Sequence, residues 1–429
     1  MTKSMLPFDL RAPSGWDVQP FGRIVERSQE TGQPDARPLS VFLDQGVVPR
    51  DSRDDNFNRL GADLAKYLVV HDGDIVFNKL RTWQGGLGVS RFDGIVSPAY
   101  FVCRPNPAAD SRFLHYLLRS RVYLEELTRV SKWMPPSQFD IAWDDLRSVP
   151  ILLPPPVTQR AIAVFLDRET ARIDALITAK RLVIQLLEKR WQGVMQNGVS
   201  GSLTSNLPTK ASTIQWLPQL RVGWREGKLN LVARLGSGHT PSRQHPEWWE
   251  APTIPWITTG EVAQMRSDRI EYLTETREMI SELGMSNSSA TLHPAGTVIL
   301  CRTASAGYSA IMGRDMATSQ DFATWTCGPL IRPRYLLLCL RVMRNDLLGR
   351  LAMGSTHQTI YMPEIESIKI PLPPVPEQEA IIAAVYSQLP AIDSSLKLLD
   401  RQIDLLNERR QGLITAGVTG ELHIRETAP

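Results

Sequence analysis

The 429 residues predict an α+β protein: two mixed α/β globular parts separated by two long helices, paired as an antiparallel coiled coil about a pseudo-two-fold axis. Three observations lead there. One stretch occurs twice, each copy carries apolar residues at heptad spacing, and the sequence around the copies reads as short strands bounded by turns.

The repeat is direct. Residues 148–203 align with residues 367–422 without a gap, with 20 identities in 56 positions. Ordinary composition gives roughly 3 or 4 by chance. Matched residues include Leu153-Pro154-Pro155 with Leu372-Pro373-Pro374, Gln159 with Gln378, Ile173-Asp174 with Ile392-Asp393, and Gly198-Val199 with Gly417-Val418. Fainter similarity extends upstream. Gly73-Asp74-Ile75-Val76 parallels Gly296-Thr297-Val298-Ile299, and the Phe113–Leu118 stretch parallels Tyr335–Leu340. The period is far longer than a solenoid repeat, so the chain is a duplicated pair of domains.

Each copy opens with prolines that set an extended lead-in and then read as a helix. In the first copy the seam is Leu166, Thr170, Ile173, Ile177, Lys180, Ile184, Leu187, Trp191 and Val194. In the second it is Val385, Leu389, Ile392, Leu396, Leu399, Ile403, Leu406 and Leu413, with Arg410 interrupting. Spacing that alternates four and three is a heptad seam. The helix-pairing residues are therefore Leu166, Ile173, Ile177, Ile184 and Leu187 with Ile392, Leu396, Leu399, Ile403 and Leu406. Two separate helices on two separate cores are the alternative; equivalent duplicated seams favour pairing. Pro390 is expected to kink the second helix and leave a main segment of residues 391–416, about 39 Å long. Gly198 and Gly417 are expected to end the helices at C′.

The remaining sequence divides as residues 1–147 and 204–366, leaving 148–203 and 367–429 as helical spacers. Strand-like runs are Tyr67–Val70, Asp74–Phe77 and Thr297–Cys301; helices are expected at Ser111–Thr128 and Arg334–Leu351. Ten of the eleven tryptophans lie outside the repeat helices, where core packing is their ordinary role. The basic residues of the two globular parts are 29 arginines and 6 lysines, and arginine's planar fork grips phosphates and reads guanine.

Composition excludes several classes. No run of about 18 apolar residues exists, so no membrane span is expected. The start, Met1-Thr2-Lys3-Ser4, leads into no apolar signal segment, which points to the cytoplasm. The four cysteines form no CxxC pair, so no metal site is expected. Net charge is +3, too small to hold nucleic acid by bulk attraction; contact has to come from local patches. No phosphate-binding loop, nucleophile elbow or amino-methyl-transfer motif is present. No catalytic residues are assigned.

Two unlike globular parts, each followed by a copy of one long helix, resemble the specificity (S) subunit of type I restriction-modification enzymes. The carriers are Leu372-Pro373-Pro374-Val375-Pro376-Glu377-Gln378, then Leu405-Leu406-Asn407-Glu408-Arg409-Arg410-Gln411-Gly412, and Gly417-Val418-Thr419-Gly420-Glu421-Leu422. Gly236-Ser237-Gly238-His239-Thr240-Pro241 and the Gly73–Gly85 segment look like the family too. The chain departs from the pattern at Thr158, where an acidic residue is usual. The resemblance implies that 1–147 and 204–366 are target recognition domains, each reading part of a split, asymmetric site in double-stranded DNA. It further implies two methylation subunits docked on the helices, which carry S-adenosylmethionine and flip the target adenine, and restriction (motor-nuclease) subunits. This chain itself would do no catalysis.

DNA contacts are expected from polar and aromatic residues on loops. They are Lys79, Arg81, Gln84, Lys132 and Gln138 in the first part, and Arg302, Tyr308, Gln320, His357 and Gln358 in the second. Two other classes compete: a self-contained methyltransferase or nuclease with a cryptic site, and a structural coiled-coil adaptor. Binding of S-adenosylmethionine by the isolated chain marks the first; absence of any DNA footprint marks the second.

Overall fold

The computed structural model describes residues 12–43, 45–52, 60–61, 63–134, 138–204, 207–353, 358–422 and 424. The chain forms two compact units, residues 1–181 with 399–429, and residues 182–398. Each unit thus takes in part of both repeat copies.

The first unit is built on an antiparallel sheet in the order Val25–Ser28, Tyr100–Pro105, Ile75–Asn78, Leu87–Val89. The helix Ser111–Arg119 starts at Asp110, whose carboxylate accepts from the backbone N–H groups of Arg112 and Phe113. It buries Phe113, Leu114, Leu117 and Leu118 in the core. Apolar pairs four apart place these four on one face. The single helix expected over Ser111–Thr128 is two, Ser111–Arg119 and Arg121–Arg129. Ser120 separates them in an extended conformation, its hydroxyl donating to the Leu117 carbonyl at 2.7 Å. A serine that bonds the backbone in this way competes with helix continuation.

The second unit repeats that sheet. Its order is Ala233–Ser237, Phe322–Cys327, Val298–Cys301, Ser309–Met312, with Tyr272–Leu273 added in parallel at the edge. Register is kept as well: Ile75↔Cys103 and Asn78↔Tyr100 in one unit correspond to Val298↔Trp325 and Cys301↔Phe322 in the other. The helix expected over Arg334–Leu351 divides into Pro333–Val342, Arg344–Asp346 and a π turn at Leu347–Leu351. The division falls beside Arg344, whose guanidinium is tied to Asp268 and to the Gly307 carbonyl.

The duplicated glutamines perform one task twice. Gln159 is fully buried; its amide donates to the Ala108 and Pro154 carbonyls at 2.9 and 2.8 Å and accepts from Asp110 N–H at 2.7 Å. Gln378, also fully buried, donates to the Leu330 and Pro373 carbonyls, both at 2.9 Å, and accepts from Arg332 N–H at 2.9 Å. In each unit one amide ties the start of a long helix to the loop that opens the helix lying on the sheet. A buried side chain that satisfies three backbone groups holds the lead-in prolines in place.

The first repeat copy is one helix, Pro156–Ser200, about 67 Å long at 1.5 Å per residue. The second copy covers the matching residues in two pieces, Val375–Tyr386 and Leu389–Thr419. Pro390, where the first copy has Ala171, accounts for the break: it has no N–H to give the Tyr386 carbonyl, and its ring clashes with that group. The main segment is longer than the expected 391–416. Nor do the helices stop at Gly198 and Gly417. They run to Ser200 and Thr419, and the left-handed residues that follow are Gly201 (φ 84°) and Gly420 (φ 78°). Gly198 and Gly417 serve packing instead. A β-carbon on Gly198 would lie 2.7 Å from Val385 Cγ2, and one on Gly417 would lie 3.3 Å from Leu166 Cδ2.

The two helices run antiparallel within each unit. In the first, Asp174 meets Arg410 at 3.1 Å and the Lys180 ammonium donates to Gln402 Oε1 at 2.6 Å, so numbers rise along one helix as they fall along the other. Leu166, Ile173, Ile177 and Ile403 are buried, and Leu399 and Leu406 half-buried. Thr170 is buried too, bonding back to the Leu166 carbonyl at 2.7 Å. In the second unit Ile392 is buried in the core and Leu187 and Leu396 pack against it, with Ile184 half-buried. The residues flanking these on each helix, such as Leu176, Leu186 and Leu405, are exposed. The polar seam residues Lys180 and Arg410 each find a partner across the pair.

Candidate nucleic-acid interface

In the first unit the chain leaves the strand Ile75–Asn78 and makes a closed loop before returning as Leu87–Val89. Thr82 Oγ1 donates to the Asn78 carbonyl at 2.8 Å, and Gly86 N–H donates to the Arg81 carbonyl at 2.8 Å. Only glycine fits at residue 86, where a β-carbon would meet the Arg81 carbonyl oxygen at 2.7 Å. Arg119 fixes the far side, donating to the carbonyls of Gly85 (2.9 Å), Leu87 (2.7 Å) and Leu43 (2.6 Å). Sequence reasoning missed Arg119, because nothing marks one arginine among many as a loop clamp.

This rigid loop carries three of the expected contact residues. Arg81 and Gln84 are exposed. Lys79 is half-buried, its ammonium 4.6 Å from the centre of the Phe101 ring, and Arg27 lies 4.8 Å from the same ring. Cations held on aromatic faces are positioned without being neutralised. The hairpin Lys132–Met134 and Gln138–Asp140 lies beside the loop: the Trp83 ring is 5.1 Å from Phe139, and Phe139 is 4.9 Å from Trp133. Lys132 is exposed, opposite Asp140 in register. Gln138 is paired with Met134 in that hairpin, and its side chain lies outside the described residues. Tyr100 stands behind the loop, accepting from Asn78 Nδ2 at 3.4 Å; burial raises its pKa, so the phenol is neutral.

The second unit uses the matching loop differently. Arg302 follows the strand Val298–Cys301, in the place Lys79 holds in the first unit. Its Nε donates to the Gln320 carbonyl at 2.9 Å and its own carbonyl accepts from Ile360 N–H at 2.8 Å. The guanidinium is therefore oriented through one nitrogen, and among the described residues its terminal nitrogens have no acceptor. Gln320 is exposed and accepts from Thr240 Oγ1 at 2.6 Å. Gln358 is exposed and precedes the short strand Thr359–Ile360. These residues gather at one edge. Tyr308 lies across from Cys301, its carbonyl accepting from Cys301 N–H at 2.8 Å, and the Arg344 guanidinium, paired with Asp268, sits 4.5 Å from its ring centre. His357 lies outside the described residues. Thr240 was also missed, since its place at this edge depends on a loop distant in sequence.

Among the described residues no group of three or more His, Cys, Asp or Glu side chains could hold a metal ion. Burial pushes the Cys301 thiol up to about 11 and Cys327 up to about 12, so both are protonated and poor nucleophiles. No helix among the described residues is long and apolar enough to cross a membrane.

Comparison with known proteins agrees with this architecture. Residues 221–408 match the family model of the type I restriction modification DNA specificity domain. The type I restriction enzyme MjaIX specificity subunit of Methanocaldococcus jannaschii is 27% identical over 165 residues, 38% of this chain and 37% of that protein. The putative type I restriction enzyme MjaX specificity subunit of the same organism is 22% identical over 438 residues, covering 96% of this chain and 95% of that one. A chain solved in work on complex assembly and conformational transition of the type I R-M system shares the fold, with a TM-score of 0.68 and 18% identity, covering 96% of this chain and 100% of the other. Duplicated sheets, duplicated helices and these matches point one way: residues 221–408 match the type I restriction modification DNA specificity domain, and the chain is similar to a type I restriction enzyme specificity subunit along 96% of its length.

Proposed function

We propose that the two globular parts, residues 1–147 and 204–366, are target recognition domains that read the two halves of an asymmetric, bipartite site in double-stranded DNA. The observation that carries this is one sheet and one loop built twice in the same register, with different side chains at the loop: Lys79, Arg81 and Gln84 in one, Arg302 with Gln320 in the other. An identical frame with unlike edges suits two unlike half-sites. The spacers, residues 148–203 and 367–429, dock two methylation subunits; restriction subunits join that core. Chemistry on the adenine belongs to the methylation subunits, which supply S-adenosylmethionine.

The test is base-resolution mapping of methylated adenines made by the assembled methyltransferase. A single split motif is expected. Arg302→Ala is expected to weaken binding to that motif by about 1–3 kcal/mol and to relax one position of one half only. Equal binding to every duplex, or tight S-adenosylmethionine binding by this chain alone, would overturn the reading.

A further inference from the structure

We infer that Trp133, on the hairpin of the first unit, is a DNA-contacting aromatic that the duplex covers in the complex. The inference rests on the proposed DNA-reading role of that unit and adds a residue outside the expected contact set.

Trp133 is 53% exposed, an unusual place for so large an apolar surface. Its ring is nonetheless held. It packs edge-on against its cross-strand partner Phe139 at 4.9 Å, and Phe139 rests on Trp83 at 5.1 Å. Trp83 in turn is pinned to the loop by its indole N–H, which donates to the Leu80 carbonyl at 3.2 Å. A row of three aromatic rings therefore runs from the Lys79–Gly85 loop to the hairpin and ends in an open face.

Charge argues for the occupant. The open ring is flanked in sequence by exposed Lys132, and the loop at the other end of the row presents Lys79 and Arg81. A surface that alternates cations with a rigid aromatic complements a polyanion with apolar base edges: the lysines and arginine take phosphates, and the indole meets a thymine methyl or wedges at a base step. The matching hairpin of the second unit, Ala352–Met353 with Thr359–Ile360, has no aromatic residue in those strands. The contact is thus confined to the half-site read by the first unit.

The experiment compares the assembled methyltransferase carrying wild-type chain, Trp133→Ala or Trp133→Phe, on a duplex bearing the mapped motif and on duplexes with either half scrambled. Trp133→Ala is expected to weaken binding to the intact motif about tenfold, with Trp133→Phe restoring most of it. On the duplex whose first-unit half is scrambled, all three are expected to bind alike. Unchanged affinity of Trp133→Ala for the intact motif, while wild type stays selective, overturns this inference and leaves the proposed function standing. A wild type with no preference for the motif overturns both. Loss of assembly with the methylation subunits, with normal DNA affinity in the assembled fraction, would make Trp133 a protein contact instead.

Discussion

The two units share a backbone plan and differ where that plan meets solvent. Sheet order, register and the glutamine clamp recur residue for residue; Lys79 against a phenylalanine ring becomes Arg302 tied to a carbonyl. The comparison teaches which residues make the frame and which are free to vary upon it. A side chain that satisfies buried backbone groups is fixed by the fold, because its removal strands those groups. A loop residue whose functional atoms face outward carries no such penalty, so it can vary.

The clamp offers the strongest way to break the parallel. Gln159→Leu and Gln378→Leu each remove partners from one buried N–H and two carbonyls, and each is expected to cost about 3–5 kcal/mol of stability. Denaturant unfolding followed by hydrogen exchange should place the first loss in the unit of residues 1–181 with 399–429 and the second in residues 182–398. Equal loss in both units would show that the clamps are not independent.

The packing glycines sharpen the contrast. Gly198→Ala sets a β-carbon against the stiff side chain of Val385, and about 1–3 kcal/mol of destabilisation is expected. Gly417→Ala meets the more adaptable Leu166 at a longer distance, and the roughly 1 kcal/mol gain in helix propensity offsets it. Melting temperatures that fall equally would refute the asymmetry.

The smallest effect concerns acid. His115 accepts from Val89 N–H at 3.2 Å; burial, with Arg119, Arg91 and Arg410, lowers its pKa to about 3. The unfolded imidazole titrates near 6.5, so the unfolded chain binds a proton that the folded chain refuses. This contribution is full above about pH 6.5 and is lost as pH falls toward 3. The second unit has Leu337 at the matching position and lacks it. Urea midpoints from pH 7.5 downward should therefore fall less steeply for His115→Gln, which keeps an acceptor for Val89, than for wild type.

Much of this was legible because it repeats. Twenty shared identities exposed the duplication, and the heptad seam located the buried face of both helices, Thr170 and Lys180 included. Helix ends were harder. Gly198 and Gly201 look alike in sequence, and only the neighbouring Val385 shows that one is there for closeness and the other for its positive φ. The edge residues were partly legible, since Lys79 and Arg302 follow a readable strand. Tyr308 also carries Arg344 on its ring, a contact 36 residues away that local pattern does not encode. Trp133 and Arg119 gained their places through partners distant along the chain.

The interleaving of the repeat copies bears on biosynthesis. Ile414 and Val418 sit in the same core as Phe21 and Phe77, more than 300 residues earlier in the chain. The first unit thus stays incomplete until residues 399–422 have been made, by which time all of residues 182–398 have been made. High separation between contacting residues slows folding and leaves apolar surface open meanwhile. A nascent chain halted after residue 203 should accordingly bind holdase chaperones more than one halted after residue 422.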